Sequence, residues 1–460
     1  MKLDFKELVS LVDRTSGKYE NLILEGVSKD TRHKSENALY LPIAGERFDG
    51  HDFLLNAIEQ GCTATVWQEG KDLPEGLPEG FPILYTKDTV TFLQDISKYY
   101  LKKINPVVVA VTGSNGKTTT KDMIESVSSE NFKTFKTQGN YNNHIGMPLT
   151  ILAMEDTTEV LILEMGMSDY GEISLLSKIA EPDVAVITNI GESHLEQLGS
   201  REGIAKAKLE IADGLKQGGL FIIDGDEPLL SHVKGENVLQ VGFGDSNTLK
   251  LSNLKTDAHG VTFSLEEGTT VYRIPMLGRH NIKNAAYAIA VGHYLNIEEN
   301  KILEGLENLK VTSMRLEMKS GKKDTLLIND AYNASPTSMI AALDTLAELK
   351  DYSNKVAVLG DMYELGSNEE EMHRNIAKHV NESISHVICV GQKGAWIADE
   401  LKKQKNDGLE VIQCLTKEEA EEPIAKLLSK DTAILFKASR GMVLETLVSK
   451  FVEKEQESKK

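Results

Sequence analysis

The most constraining stretch of this chain is a run of apolar, mostly β-branched residues, Val107 to Val111, that opens directly into Gly113-Ser114-Asn115-Gly116-Lys117-Thr118-Thr119. A continuous apolar run is what a strand buried on both faces requires, and such strands belong to parallel sheets covered by helices. The glycines let the backbone curl so that several N–H groups converge on phosphate oxygens. Lys117 adds a compact charge, Thr118 a hydroxyl for Mg²⁺, and the helix that begins here its positive end. The stretch predicts a loop for the phosphates of ATP, with Gly113, Ser114, Asn115, Gly116, Lys117, Thr118 and Thr119 as its nucleotide-binding residues. The commoner pattern has a further glycine where Val111 stands, so the loop is a shortened variant, identified by the strand before it and the helix after it.

Other strand-like runs follow at 160–163, 184–187 and 220–223, separated by helical patterns, and again at 356–359, 387–390 and 433–436. The fold class read from this alternation is α/β, with a central parallel sheet and a second, Rossmann-like unit after it. At 460 residues the chain exceeds what one core supports. Three domains are expected: 1–105, 106–311 and 312–460. Residues 102–106 read as a linker, a second boundary falls near 310–313, and the tail 453–460 is expected to fray.

The net charge of −19 argues against a general nucleic-acid or anionic-membrane binder, though not against a local basic pocket. The first residues carry no apolar segment of a secretory signal, and no apolar run is long enough to span a bilayer. Cys62, Cys389 and Cys414 have no metal-binding or disulfide spacing, which fits small core residues in a reducing cytoplasm.

Glu164 ends its run just before Met165-Gly166, which places its carboxylate at the C-terminal edge of a parallel sheet, where such folds put their ligands. There it is either an oxygen donor for Mg²⁺ or a strand-end glutamate in solvent. His194, after another central run, is either a metal ligand or a hydrogen-bonded loop histidine. On a helix expected from about 200 to 215, Ile204, Lys208, Ile211 and Leu215 share one stripe, whereas Lys206 stands four residues from both Glu202 and Glu210. Lys208 therefore points inward. It either snorkels along the core edge or, once buried, becomes a neutral amine able to take up CO₂. The carbamate so formed is an oxygen donor for a second Mg²⁺.

Taken together, these segments resemble the Mur ligase family of ATP-dependent amide ligases, over nearly the whole chain. The likeness includes Asn140-Tyr141-Asn142-Asn143-His144-Ile145-Gly146-Met147-Pro148, Gly191-Glu192-Ser193-His194, Ala207-Lys208-Leu209-Glu210 and Gly278-Arg279-His280-Asn281-Ile282-Lys283-Asn284. In that family the shortened loop is the normal one. The resemblance implies that Glu164 and His194 hold Mg²⁺ together with Thr118, that Lys208 is carbamylated, and that His280, Asn281 and Asn284 meet the adenosine. Three segments, 329–339, 359–366 and 437–441, look like the member that joins D-alanyl-D-alanine to UDP-N-acetylmuramoyl-tripeptide through an acyl phosphate. Ser335 replaces a more frequent asparagine there. The Asp-Asn-Pro-Arg-like motif of the member that adds the third peptide residue is missing from the sequence.

Residues 28–32 and 44–51 resemble a UDP-sugar-binding domain, which makes Ser28, Asp30, Thr31, Arg32, Gly45, Asp49, Gly50 and His51 implied substrate contacts, with Asn143 and Asn333. Arg315 and Asp330 are implied to bring the last domain onto the nucleotide, Asp330 touching it. With Lys117, His194 and Lys208 they form the implied catalytic set. A monomer in the cytoplasm, with small-molecule substrates, no nucleic acid and no membrane insertion, completes the expectation. The rivals are another ligase of the family, such as folylpolyglutamate synthase, which lacks the first domain, and a phosphate-loop switch that hydrolyses ATP only to change shape.

Overall fold

A computed structural model of the chain describes every residue except Glu46, Ala258, His259, Glu267, Val311, 405–407 and 454–460. Glu46 of the first-domain motif, Val311 at the expected second boundary and all but the first residue of the expected frayed tail thus lie outside the described residues.

Among the described residues, three main sheets organise the chain. The first has five strands, in the order Arg14–Ser16, Ile83–Thr86, Ala64–Gln68, Leu39–Tyr40 and Val27–Ser28. The second has nine. In it Val107–Thr112 lies between Val160–Glu164 and Val184–Ile187, with all three strands parallel. Parallel strands need crossovers, and helices such as Lys117–Ser128 and Glu172–Ala180 supply them. Beyond Val238–Gly242 the sheet continues into Leu249–Asp257, Gly260–Leu265 and Val271–Ile274, the last two pairings antiparallel. That extension was not expected from the sequence. Its inward residues, such as Val261, Phe263, Tyr272 and Ile274, alternate with outward ones over runs too short to stand out.

The third sheet has six strands, ordered Glu317–Ser320, Leu326–Asn329, Thr432–Lys437, Asn354–Leu359, His386–Val390 and Glu410–Cys414. All its pairings are parallel except the first. The α/β class and the three-sheet architecture agree with the sequence reading.

Two local expectations are corrected. Residues 102–104 are not linker but the last turn of the helix Thr89–Ile104. Asn105 ends it in the left-handed region, at φ 53°, and Pro106 cannot extend it. The breaker signal was real but two residues long. The helix expected to run to 215 stops at Leu209 and continues as a 3₁₀ turn, Glu210–Gly214. Glu210 leaves the Lys206 face because its carboxylate takes the Gly171 N–H at 2.9 Å and the Ser174 N–H at 3.2 Å, capping the helix Glu172–Ala180. Lys206 instead lies over the Tyr170 ring, 5.6 Å from its centre.

The core is shared unequally. One apolar cluster runs from Leu3 and Phe92 through Val108 and Leu163 to Leu230, binding the first sheet to one face of the central sheet. Among the described residues, the two clusters of the last domain draw only Leu277 from the central one. Cys62, Cys389 and Cys414 are buried free thiols. Among the described residues, no helix is long and apolar enough to cross a membrane.

Candidate functional site

The phosphate loop is built by close approach. Gly113, at φ 150°, leaves room for Thr188, whose Oγ1 would stand 1.9 Å from a Cβ there. Gly116, at φ 83°, is the first cap of the helix Lys117–Ser128, and a Cβ on it would meet Asn284 Oδ1 at 2.8 Å. Only glycine fits either place. The end of the neighbouring strand stitches the loop down. Thr188 Oγ1 donates to the Asn115 carbonyl at 2.5 Å, the Asn115 N–H donates to Asn189 Oδ1 at 2.9 Å, and the Gly191 N–H donates to Ser114 Oγ at 2.8 Å. The Lys117 ammonium reaches back to the Gly113 carbonyl at 2.7 Å. Burial pushes its pKa below the usual lysine value.

Glu164 sits at its strand's end, 4% exposed, so the solvent reading is excluded. One carboxylate oxygen accepts from Thr118 Oγ1 at 2.9 Å and the other from Asn142 Nδ2 at 3.0 Å. The last domain enters at the same point, where Arg315 Nη2 donates to Thr118 Oγ1 at 3.2 Å. The guanidinium lies over the Tyr332 ring, 4.0 Å from its centre.

Asp330 stands one step past the end of Leu326–Asn329, and Lys437 is the last residue of the parallel strand Thr432–Lys437, which pairs Asn329 with Phe436. Their charges meet at 2.5 Å, and Lys437 also donates to the Asn333 carbonyl at 3.1 Å. His280 lies beside this pair. Its pKa is lowered to about 4 by burial, with Asp330 opposing the shift and Lys437 adding to it.

These groups line a cavity of about 510 Å³ between the central and last domains. Its walls include Ser114 to Thr119, Glu164, His280, Asn281, Asn284, Arg315, Asp330 and Asn333. It also gathers cations from several elements, of which Arg201, Lys283 and Lys437 are paired with Glu227, Asp224 and Asp330 of the same wall, while Lys117, Arg279 and Arg315 are in no salt bridge among the described residues. Asn281 and Asn284 are buried and bonded to each other at 3.0 Å, so Asn284 is fixed where it faces the loop.

Lys208 is 2% exposed and makes no hydrogen bond or ion pair among the described residues. Burial and the nearby Lys117 charge hold its pKa well below the usual lysine value, so the inward reading holds and snorkelling does not. His194, in the left-handed region at φ 62°, feels both lysines. Burial first, then those charges, lower its pKa to about 4, leaving a neutral ring at pH 7. Its Nδ1 lies 3.6 Å from Glu364 of the last domain.

Among the described residues, no three His, Cys, Asp or Glu side chains converge into a metal cage. Mg²⁺ does not need one, because it takes one or two protein oxygens and completes its shell with phosphate and water. The Thr118 hydroxyl and Glu164 carboxylate are such a pair. A neutral imidazole adds no repulsion to a cation.

The first-domain residues stand apart from this cavity. Arg32 folds onto Asp30 at 2.5 Å, Ser28 Oγ donates to the Asp30 carbonyl at 2.9 Å, and Thr31 lies between them. The Gly45 N–H donates to the Phe48 carbonyl at 2.9 Å. Asp49 caps the turn Gly50–Phe53 and binds His51 Nδ1 at 2.6 Å, while Gly50 packs against Ile43 where a Cβ would clash. Asn143 Oδ1 accepts the Gly146 N–H at 2.8 Å, starting the helix Gly146–Ala153. The two regions meet where Lys29 lies 5.7 Å from the Tyr141 ring centre, one residue from Asn142.

Three site groups were not singled out from sequence: Asn142, Lys437 and Glu192. Glu192 accepts the Thr337 hydroxyl and, at 3.3 Å, its N–H, thereby capping the helix Pro336–Glu348 across the domain boundary. The signal for Lys437 was its place at the end of the apolar run 433–436. Ser335 is the capping residue of that same helix, a place serine fills as well as asparagine.

A glycine loop at the end of a parallel strand, a buried acid beside it and a second α/β domain reaching over both define a class: phosphate-loop α/β proteins whose cleft is completed by another domain. The chain matches the Mur ligase middle domain over residues 111–292, the Mur ligase glutamate ligase domain over 314–440, and the Mur ligase family catalytic domain over 24–101. It is 45% identical to the UDP-N-acetylmuramoyl-tripeptide–D-alanyl-D-alanine ligase of Bacillus subtilis, the match covering 98% of this chain and 99% of that one. The crystal structure of MurF from Acinetobacter baumannii superposes with a TM-score of 0.86 at 29% identity, covering 99% of each chain. MurF from Thermotoga maritima in complex with ADP superposes at 0.81 and 28% identity, covering 92% of this chain and 96% of that one. The chain belongs to the Mur ligase family.

Proposed function

We propose that this chain joins D-alanyl-D-alanine to UDP-N-acetylmuramoyl-tripeptide at the expense of ATP, as a monomer in cytoplasmic peptidoglycan-precursor synthesis. The observation that carries the reading is the meeting of Arg315 with Thr118 beside Glu164, which closes the last domain onto the phosphate loop. The relatives matched over nearly their full length carry the corresponding name. We take the functional domains as 1–105 for the UDP-sugar, 106–311 for ATP and 312–460 for ligation.

The tripeptide's terminal carboxylate takes the γ-phosphoryl group of ATP, giving an acyl phosphate and ADP. The dipeptide's amine then attacks the acyl carbon, the amide forms, and phosphate leaves with the C–O bond's electrons while the amine gives up its proton. Two anions must approach in the first step. The loop N–H groups of Gly113 to Thr119, Lys117 and Arg315 are the chain's own means of offsetting that charge. Thr118 and Glu164 would hold one Mg²⁺, and His194 with a carbamate on Lys208 a second. Such ions supply electrostatic stabilisation of the transferring group. His280, Asn281, Asn284 and Asp330 position the nucleoside. Ser28, Asp30, Thr31, Arg32, Gly45, Asp49, Gly50 and His51 receive the UDP-sugar, with Asn143 and Asn333 towards its peptide. Closure of the last domain excludes water that would hydrolyse the acyl phosphate.

The test is ADP release with lysine- and diaminopimelate-containing UDP-tripeptides, each with and without D-alanyl-D-alanine. Turnover should need both partners and fall by orders of magnitude in Lys117→Ala. Hydrolysis indifferent to both would return the chain to the switch reading.

A further inference from the structure

Thr118 and Asp122 lie four residues apart on the helix Lys117–Ser128, so they sit one above the other on a single face, about 6 Å apart along its axis. The segment that leads into the last domain touches both. The Thr312 hydroxyl donates to Asp122 Oδ2, and Arg315 Nη2 donates to Thr118 Oγ1 at 3.2 Å. Two contacts one helical turn apart fix both the place and the direction of this segment. Its backbone needs such fixing. Met314 and Leu316, on either side of Arg315, are in the left-handed region at φ 64° and 49°, which persists in such residues only where the surroundings impose it. The segment's other hydrogen bonds among the described residues stay within the last domain, as from the Met314 N–H to Glu317 at 3.0 Å and from the Leu316 N–H to Asp330 at 3.2 Å.

Asp122 is 3% exposed, and its charge is met by Lys136 at 2.8 Å and Lys121 at 3.8 Å. Lys121 also stands 4.0 Å from Glu164, the acid that takes the Thr118 hydroxyl. A carboxylate already set between two lysines does not depend on a hydroxyl from the exposed Thr312. The bond therefore serves the segment rather than the acid. Arg315 Nε, at the other end, is buried with no hydrogen-bond partner among the described residues, a donor that a phosphate oxygen would satisfy. We infer that Asp122 and Thr312 are a positioning pair for phosphoryl transfer, holding the segment so that Arg315 stands over Thr118 at the phosphate loop. The inference rests on the ligase reading above.

ADP release at saturating ATP, UDP-tripeptide and D-alanyl-D-alanine tests it, in variants at the exposed Thr312. Thr312→Val keeps the shape and loses the hydroxyl. Its kcat should fall about tenfold, the factor for one hydrogen bond to a charged group, while the KM for ATP stays within about twofold of wild type. Thr312→Ser restores the donor and should return kcat to within about twofold of wild type. The pair acts through Arg315, so on the residual turnover of Arg315→Ala the added Thr312→Val should cost less than about twofold. Wild-type kcat in Thr312→Val, a Thr312→Ser as slow as Thr312→Val, or the full loss repeated in the Arg315→Ala background overturns the positioning pair alone. A wild-type protein whose ADP release ignores both the UDP-tripeptide and the dipeptide overturns the ligase reading and the pair with it.

Discussion

Replacing Lys437 by methionine removes one half of a buried ion pair and keeps the side chain's length. In the folded protein Lys437 is 3% and Asp330 15% exposed at the side chain, and their charges lie 2.5 Å apart. Coulomb's law at an effective dielectric of about 20 gives roughly 7 kcal/mol of attraction across that gap. Most of it offsets the cost of taking both groups from water, so the pair itself contributes little. Removing one partner is different, because the carboxylate stays behind in a low-dielectric site at a cost of about 3–5 kcal/mol. Asp330 keeps the Leu316 N–H at 3.2 Å, which argues for the lower end. For a domain of this size, roughly 3 kcal/mol lowers Tm by about 6–12 °C. The chain has two tryptophans, and Trp396 lies in the last domain, so its fluorescence follows the transition that matters. Asp330→Asn combined with Lys437→Met leaves no charge to strand and should recover most of the loss. A single variant that melts within a degree of wild type, or a double variant no better than the single, would refute the reasoning.

Three further outcomes follow from the site. Lys208→Ala should lose activity and regain part of it with a short carboxylic acid in solution, whereas Lys206→Ala, exposed over Tyr170, should stay near wild type; the reverse order in an ADP-release assay would undo both the burial argument and the carbamate. Gly116→Ala forces a side chain into a left-handed position and against Asn284, so ATP affinity by calorimetry should drop at least tenfold, and unchanged affinity would contradict the loop geometry. His280 has a folded pKa of about 4 against an ordinary value of 6.5, so its unfolded form binds the extra proton between those values. Its contribution to stability is therefore complete above pH 6.5 and lost as pH falls towards 4, and His280→Gln should flatten that part of a urea-melt pH profile.

The central sheet and the loop were legible because a buried strand followed by glycines, a lysine and threonines has few other structural uses. Lys208 was legible in part, since the helical stripe gave its direction although the helix ended six residues early. What stayed hidden depended on pairing between distant segments. Nothing near Lys437 in sequence says that it ends beside Asp330; that follows from the register of two strands more than a hundred residues apart. The carboxylate of Glu192 capping Pro336–Glu348 is hidden for the same reason. Glu210 misled because a sequence offers every acidic residue to its helical neighbours, while the fold gave this one to another helix's free N–H groups.

The unequal core has a mechanical consequence. The first and central domains share a continuous apolar cluster, so prising them apart would expose oil to water, and they behave as a single anvil. The last domain is held by polar handshakes: Arg315 on Thr118, Thr337 on Glu192, Thr312 on Asp122 and Glu364 by His194. Water can replace each of these at little net cost, since a typical hydrogen bond contributes only about 0.5–1.5 kcal/mol. Parting the last domain from the other two therefore costs far less than parting those two from each other.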